Sequence, residues 1–316
     1  MEHVPLVKPR PTRPLSQQAL SLRRKAWGFP IGLVSKIRDQ LTISSWLALG
    51  ACLQSLLFWV AGRVALVPAF VLIFYRIVDT ALMVKGVKSD PEAMENIIRN
   101  KYTVLYPDSQ GKYSGKPANK DVVVFMIGAR SNHPLGLFAP GFKTMGEHFD
   151  RLCVDVEARS EQYGLLGQTN CTVQGDVSTS TETMSVMFFE NFEGLHKFAH
   201  DPLHREAWNW WNRDLAKFGH LSIWHEAFHS PAGHWEGIYV NSHPRGLAAT
   251  TVPITLEKDS GDLKAGTKAY FSPIVDARKG VLKTSAGRIS ALRSKADEHD
   301  KYGKDPYENY GRMNAV

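Results

Sequence analysis

Two hydrophobic patterns divide the chain. From Ile43 to Gly62 it reads ISSWLALGACLQSLLFWVAG, twenty residues without a charge. As a helix, that run can cross a hydrocarbon core about 30 Å thick. After Arg63 a second apolar run continues to Val84, and the thirty-nine residues from Trp46 to Val84 hold only Arg63, Arg76 and Asp79 as charges. A buried core helix would be shorter, and a cleavable signal would sit nearer the start with an apolar core of about 7–15 residues. Residues 41–84 therefore read as a transmembrane hairpin, its tip at Gly62-Arg63 and Pro68. Arg76 and Asp79 are spaced to pair on one helix face.

Beyond residue 120 the periods become those of a globular domain. Val122–Ile127 is a continuous apolar run ending at Gly128, a buried strand. Met145, Phe149, Leu152 and Val156 recur at helical spacing within 142–158. Residues 163–175 and 183–189 are extended, 191–218 helical with one break, and 219–228 alternate as a strand, with a further strand at 235–240. The order β-α-β-β-α-β is the split βαβ plan. The fold class expected is α+β, a ferredoxin-like α/β barrel domain over 121–247. A sheet with one open face needs covering, so a homodimer is expected. Residues 1–40 read as a disordered basic tail, rich in Pro at 5, 9, 11 and 14. Residues 85–120 read as a linker with a short helix after Asp90-Pro91, and 248–316 as a C-terminal extension with a frayed end.

Charge then narrows the function. The net charge is +7, which invites a nucleic-acid reading. Residues 1–40 hold eight Lys/Arg against Glu2 and Asp39, a balance of +6, which leaves only +1 for the other 276 residues. The basicity belongs to the tail and not to a folded face, so no nucleic-acid partner is expected. Basic residues precede the apolar stretch (Arg23, Arg24, Lys25, Lys36, Arg38) and follow it (Lys85, Lys88). The positive-inside bias puts both ends in the cytosol, with the endoplasmic reticulum as the expected membrane. Cys52, Cys153 and Cys171 have no framework spacing, which fits a reducing compartment. The sequon at Asn170 would matter only in the lumen.

Several motifs are decoys. His225-Glu226-Ala227-Phe228-His229 spells the zinc-protease string, whose chemistry needs both histidines one turn apart on a helix. Here Leu221, Ile223, His225 and Ala227 alternate with Ser222, Trp224, Glu226 and Phe228, a strand period. On a strand, positions i and i+4 stand roughly 13 Å apart and cannot share an ion. No Gly-x-Gly-x-x-Gly opens a helix, and neither a phosphate loop nor a Gly-x-Ser-x-Gly elbow is present.

The remaining candidate chemistry is histidine. Six of the twelve histidines fall between 196 and 229. Asp201-Pro202 is an N-cap and N1 pair, so a new helix starts there. From that start His204, Trp208, Trp211 and Leu215 fall on one face. The bland explanation of His204 is a core histidine bonded to a backbone carbonyl; the sharp one is a haem or metal ligand. His225 faces the apolar side of the last strand, so the two histidines can bound one cavity, one as axial ligand and one as acid–base.

Three blocks carry a resemblance: FFENFEGLHKFAHDPLHREAWNWW from Phe188, IWHEAF from Ile223 and YVNSHPRG from Tyr239. They resemble a fungal family of membrane-anchored monooxygenases related to the antibiotic-biosynthesis monooxygenases, with members in terpenoid and polyketide gene clusters such as that of fumagillin. The same blocks are similar to the haem-containing aldoxime dehydratases. The resemblance implies a ferredoxin-like barrel, often dimeric. It makes His204 the haem-iron ligand and His225 the distal catalytic histidine. The cavity the two would share is expected to be lined by Trp208, Trp211 and Ile223, the tryptophans beside the cofactor, with Glu226 as a second catalytic residue next to His225. The match at His204 needs a one-residue gap, which leaves His200 as an alternative ligand.

Three functions stay open: a monooxygenase acting on an apolar terpenoid or polyketide intermediate, a haem dehydratase, and a non-enzymatic membrane-tethered dimerisation module. Cofactorless oxygenation needs a substrate that forms a stabilised carbanion, whereas a plain terpene implies haem or another cofactor. No cysteine lies in the second helix or the final strands, which argues against a thiolate-ligated haem.

Overall fold

The computed structural model describes residues 2–16, 25–26, 29–89, 96–173, 179–180, 182–259 and 262–291. The expected helix after Asp90-Pro91 and the frayed C-terminus lie outside the described residues, as do residues 17–24 of the tail. The elements that concern the site are α1 (Ile31–Arg38), α2 (Ile43–Ala61), α3 (Val67–Val84), β1 (Ile98–Val104), β2 (Val122–Ser131), α4 (Phe142–Ala158), β3 (Leu165–Val173), β4 (Glu182–Phe189), α5 (Phe192–Ala199), α6 (Pro202–Arg213), β5 (Leu221–Ser230), β6 (Ile238–Ser242), β7 (Val252–Thr255), β8 (Lys268–Phe271) and β9 (Ile274–Asp276).

The four-stranded antiparallel sheet has the order β3-β4-β2-β5. With α4 between β2 and β3, and α5 and α6 between β4 and β5, this is the ferredoxin-like topology that the element order predicts. Strand alternation sorts β2 into two apolar faces. Val123 and Phe125 point to the helices, where Val123 joins Cys153, Val156, Tyr163, Met187, Phe189, Leu195 and Phe198 in a core. Val122 and Val124 point the other way.

That second face corrects the expected boundaries. β1, read as linker, is the central strand of a second sheet, β9-β1-β6. Its residues Tyr102 and Val104, with Leu105 and Tyr106 just after it, pack with Val122, Phe188, Leu166, Ile274 and Val275. Tyr239 of β6 stacks on Tyr102 at 4.9 Å. The strand expected at 235–240 thus belongs to this second sheet and not to the ferredoxin unit, and β7, β8 and β9 place part of the expected extension in the same core. The open face that motivated a homodimer is covered over β2, β3 and β4 by the chain's own second sheet, while Phe228 on the same face of β5 stays 51% exposed.

Nor is residues 2–16 a free tail. Leu6 N donates to Ile274 O at 3.1 Å and Arg10 N to Tyr270 O at 3.1 Å, which lays the segment along β9 and β8. An edge strand uses only alternate backbone groups, so Pro5 and Pro9 cost it no bond. Arg13 then reaches the Leu165 and Leu166 carbonyls at 2.9 and 2.8 Å.

Within Ile43–Val84 an 18-residue window reaches a mean hydropathy of 2.2 and is 0% buried, so the stretch is long and apolar enough to cross a membrane. It is not one straight rod. Gly62 sits at φ +59°, a left-handed conformation that ends α2, and Gln54 Nε2 donates to Ala65 O at 2.9 Å. Eleven residues of continuous helix would rise about 16 Å, beyond a glutamine's reach, so the chain doubles back at Gly62. Asp79 pairs with Lys88, not with Arg76 as the spacing suggests. After α3 ends at Val84 the chain folds back, with Lys88 N bonded to Leu82 O, and this returns the Lys88 ammonium to Asp79.

Candidate active site

The junction between α5 and α6 positions the histidines. Asp201 caps α6, its Oδ1 accepting from Leu203 N at 3.0 Å, and Pro202 takes the first turn. The same carboxylate accepts from Arg159 Nη1 at 2.7 Å and from Tyr163 Oη at 2.7 Å. Arg159 also pairs with Asp155 on α4. The bonds from Arg159, with those from Tyr163 and the Leu203 amide, hold the Asp201 carboxyl well below the usual carboxylate range. The start of α6 is thereby locked against the end of α4.

His204 lies one turn or less into α6. Its ring bonds to the backbone of Ala199 and stands edge-on to Phe198 at 5.4 Å. Burial lowers its proton affinity, the Ala199 bond opposes that, and repulsion from His225 and His200 adds to the lowering. The ring is therefore neutral at pH 7, with one nitrogen engaged and the other available.

His225 stands on β5 opposite Ile127, its ring 5.5 Å from Phe125. Phe125 belongs to the helix-facing side of the sheet, so His225 points into the helix–sheet layer that α5 and α6 roof. The two histidines are near enough that charge on His225 disfavours charge on His204. The layer is open at this edge, because among the described residues β5 has no further strand beyond it and Ile223 and His225 are exposed.

Other expected site residues are placed elsewhere. Glu226 pairs with Met126 on the opposite face of β5, since strand alternation turns successive side chains apart; the structure does not bring it to His225. Trp208 is 56% exposed. Trp211 packs on Phe218 at 5.8 Å and beside Trp210 at 6.3 Å, in a cluster with Met145 and Leu221. Seven residues of helix advance about 10 Å, which carries Trp211 to the other end of α6 from His204. His200 stands beside His196 at 6.3 Å and caps the end of α5. The His225–His229 string lies on β5, where His229 Nε2 bonds Asp121 Oδ2 at 3.0 Å. Among the described residues no group of three or more His, Cys, Asp or Glu could hold a metal ion.

The sheet register adds two residues that the sequence reading passed over. His225, Ile127, Ser185 and Asn170 form one row across β5, β2, β4 and β3. Ser185 Oγ and Asn170 Oδ1 are buried with no hydrogen-bond partner among the described residues, so this floor offers polar groups beside His225. The available signal was Ser185 itself, a hydroxyl at a helix-facing position in the apolar run TMSVMFF. Asn170, read first as a sequon, instead turns its side chain into the protein. On the other face, Gly128 leaves room for the Trp224 indole to cross β2 and donate to Glu182 Oε1 at 2.8 Å.

Residues 122–247, which hold the ferredoxin-like unit and β6, match the family model described as monooxygenase af470-like. Monooxygenase af470 from Aspergillus fumigatus is 32% identical over 252 residues, covering 79% of this chain and 88% of that protein. Among solved structures, an aldoxime dehydratase in complex with butyraldoxime aligns at a TM-score of 0.35 and 13% identity, over 42% of this chain and 40% of that one. SnoaB, a cofactor-independent oxygenase from Streptomyces nogalater, aligns at 0.22 and 12%, over 34% and 91%. With sequence similarity running through more than two thirds of both proteins, the chain belongs to the monooxygenase af470-like family and is an oxidoreductase of that class.

Proposed function

We propose that this chain is a membrane-anchored monooxygenase that oxidises an apolar intermediate, a terpenoid or polyketide, in the layer between α6 and β5. The observation that carries the reading is the placement of His204 and His225 on the two walls of that layer, under a domain joined to an uncovered apolar hairpin. An anchor suits a substrate that partitions into lipid. The basic residues flanking the hairpin support a cytosolic domain on the endoplasmic reticulum.

The donor chemistry at His204 fits a haem: the Ala199 bond orients the ring, the lowered proton affinity keeps it a neutral ligand, and Phe198 shields one side. When bound, haem would supply the activation of O₂. The chain's part is for His204 to hold the group, for His225 to hold or move a proton at the substrate, and for Ser185 and Asn170 to orient a polar function on it. The edge beyond β5 needs a cover to exclude water, which keeps a second copy of the chain as the expected partner.

The test is the absorption spectrum of the detergent-solubilised full chain, followed by product mass from turnover under isotopically labelled O₂. A Soret band that His204→Ala removes, and one labelled oxygen in the product, are expected. Turnover indifferent to O₂, with unlabelled product, would overturn the oxygenase reading in favour of the dehydratase.

A further inference from the structure

At the C-terminal end of β2 the loop before α4 carries two uncovered apolar side chains, Leu135 at 53% exposed and Phe138 at 75%. Scattered exposed apolar residues are ordinary on protein surfaces. This pair is distinguished by what holds it. Gln40 Nε2 donates to Leu135 O at 2.9 Å, and Gln40 Oε1 accepts from Leu137 N at 2.8 Å. Both polar ends of one side chain are therefore spent on this loop. Gly136, between the two exposed residues, sits at φ +51°, and a Cβ there would fall 2.5 Å from Gln40 Oε1 and 2.5 Å from Ser180 Oγ. The left-handed glycine is what lets the Gln40 amide come so close. Asp39 O accepts from Ser180 N at 2.9 Å, a second tie to the same end of the sheet.

Gln40 lies three residues before Ile43, where the apolar stretch begins. On its other side is α1, whose Leu33 and Ile37, four apart on one face, are 41% and 40% exposed beside the basic Lys36 and Arg38. Apolar side chains flanked by cations, next to a membrane-length helix, fit the headgroup boundary of an anionic bilayer. We propose that the loop carrying Leu135 and Phe138 is a second membrane contact, seated in the bilayer interface beside α1 and held there by Gln40. This rests on the membrane reading of residues 43–84.

The contact fixes which end of the domain meets lipid. Asn132 N donates to His220 O at 2.7 Å, and the His220 ring pairs with Pro140 O at 2.9 Å, so the loop is bonded to the residue just before β5. Ile223 and His225 follow on the helix-facing side of that strand. An apolar substrate leaving the bilayer at Phe138 thus meets the open edge between α6 and β5 without crossing bulk water.

The test uses the full chain with Cys52→Ala and Cys171→Ala, leaving buried Cys153, reconstituted into vesicles of phosphatidylcholine and phosphatidylserine. An environment-sensitive fluorophore is attached at Phe138→Cys, and in a separate sample at Lys112→Cys, on the turn before β2. At 138 the emission should shift to the blue and be quenched several-fold more strongly by lipid-borne nitroxides than at 112. Adding Gln40→Ala should reduce that quenching. Resistance of the protein to alkaline extraction is measured on the same vesicles. Protein that stays embedded while position 138 is quenched only by aqueous iodide overturns this inference and leaves the anchor reading standing. Protein released by alkali overturns both. Quenching at 138 that Gln40→Ala leaves unchanged overturns the role given to Gln40.

Discussion

The two faces of the four-stranded sheet are built on different terms. Where it meets β9-β1-β6 one face is closed, and Tyr102, Leu105, Tyr106 and Val275 there are fully buried. At the β5 edge of the helix-facing side, α6 has no buried residue and Trp208, Ile223 and His225 are exposed. A closed core stores stability through dense contacts, while an open edge has few contacts to lose and room to admit a ligand. The difference teaches that this unit carries its stability in its closed cores and its candidate chemistry at the open β5 edge, so substitutions in the two places should fail in different assays.

The sharpest test of that division is His225→Ala. On the proposed role it should lower turnover by about 10²–10⁴-fold and leave the melting temperature nearly unchanged, since the exposed ring supports little packing. Wild-type turnover would remove His225 from the chemistry. The reverse case is Tyr106→Ala. It deletes a buried ring that meets Trp235 edge-on at 5.8 Å and bonds Thr250 Oγ1 at 3.1 Å. It should cost about 3–5 kcal/mol of stability in denaturant titration, as for other buried aromatics. A cost near zero would mean that the second sheet does not bear the fold.

Asp201→Ala tests the join between α6 and the end of α4. Loss of the cap alone should cost about 0.5–2 kcal/mol. Its pH dependence has a definite sign. The folded carboxyl binds its proton more weakly than the unfolded one, so its contribution is complete above the ordinary carboxylate value of about 4 and is lost as pH falls below it. Stability compared at neutral and acid pH should show the variant's deficit shrinking on acidification; a deficit constant with pH would separate Asp201 from Arg159. The smallest effect is expected at Ser185→Ala. Removing a buried hydroxyl without a partner should be neutral or slightly stabilising, while turnover falls if that hydroxyl orients substrate. A destabilised variant would show that Ser185 has a structural bond.

Much of this was legible in the residues. The β-α-β-β-α-β order followed from periodicity, and alternation placed the His225–His229 string on a strand and so removed it from zinc chemistry. Asp201-Pro202 marked the break between α5 and α6. The second sheet was not legible, and β1 shows why: IRNKYTV is polar and short, and its partners Val240 and Ile274 lie well over a hundred residues away. Local pattern reports a segment's own conformation but not its distant partner. The proline-rich start misled for the same reason, because its order comes from the edges of β8 and β9 and not from its own composition.

The sequence alone determined the helices and strands of the ferredoxin-like unit and the membrane-length apolar run, because those follow from side-chain spacing against backbones of fixed period. It also determined the family, through matching residues. Only the tertiary structure decided which side chains share a space. It kept His204 and His225 in one layer, turned Glu226 to the opposite face, carried Trp211 to the far end of α6, and set Ser185 and Asn170 in the row of His225. Those outcomes depend on strand register and on the angle at which α6 leaves Asp201, which are fixed by contacts between residues far apart in the chain.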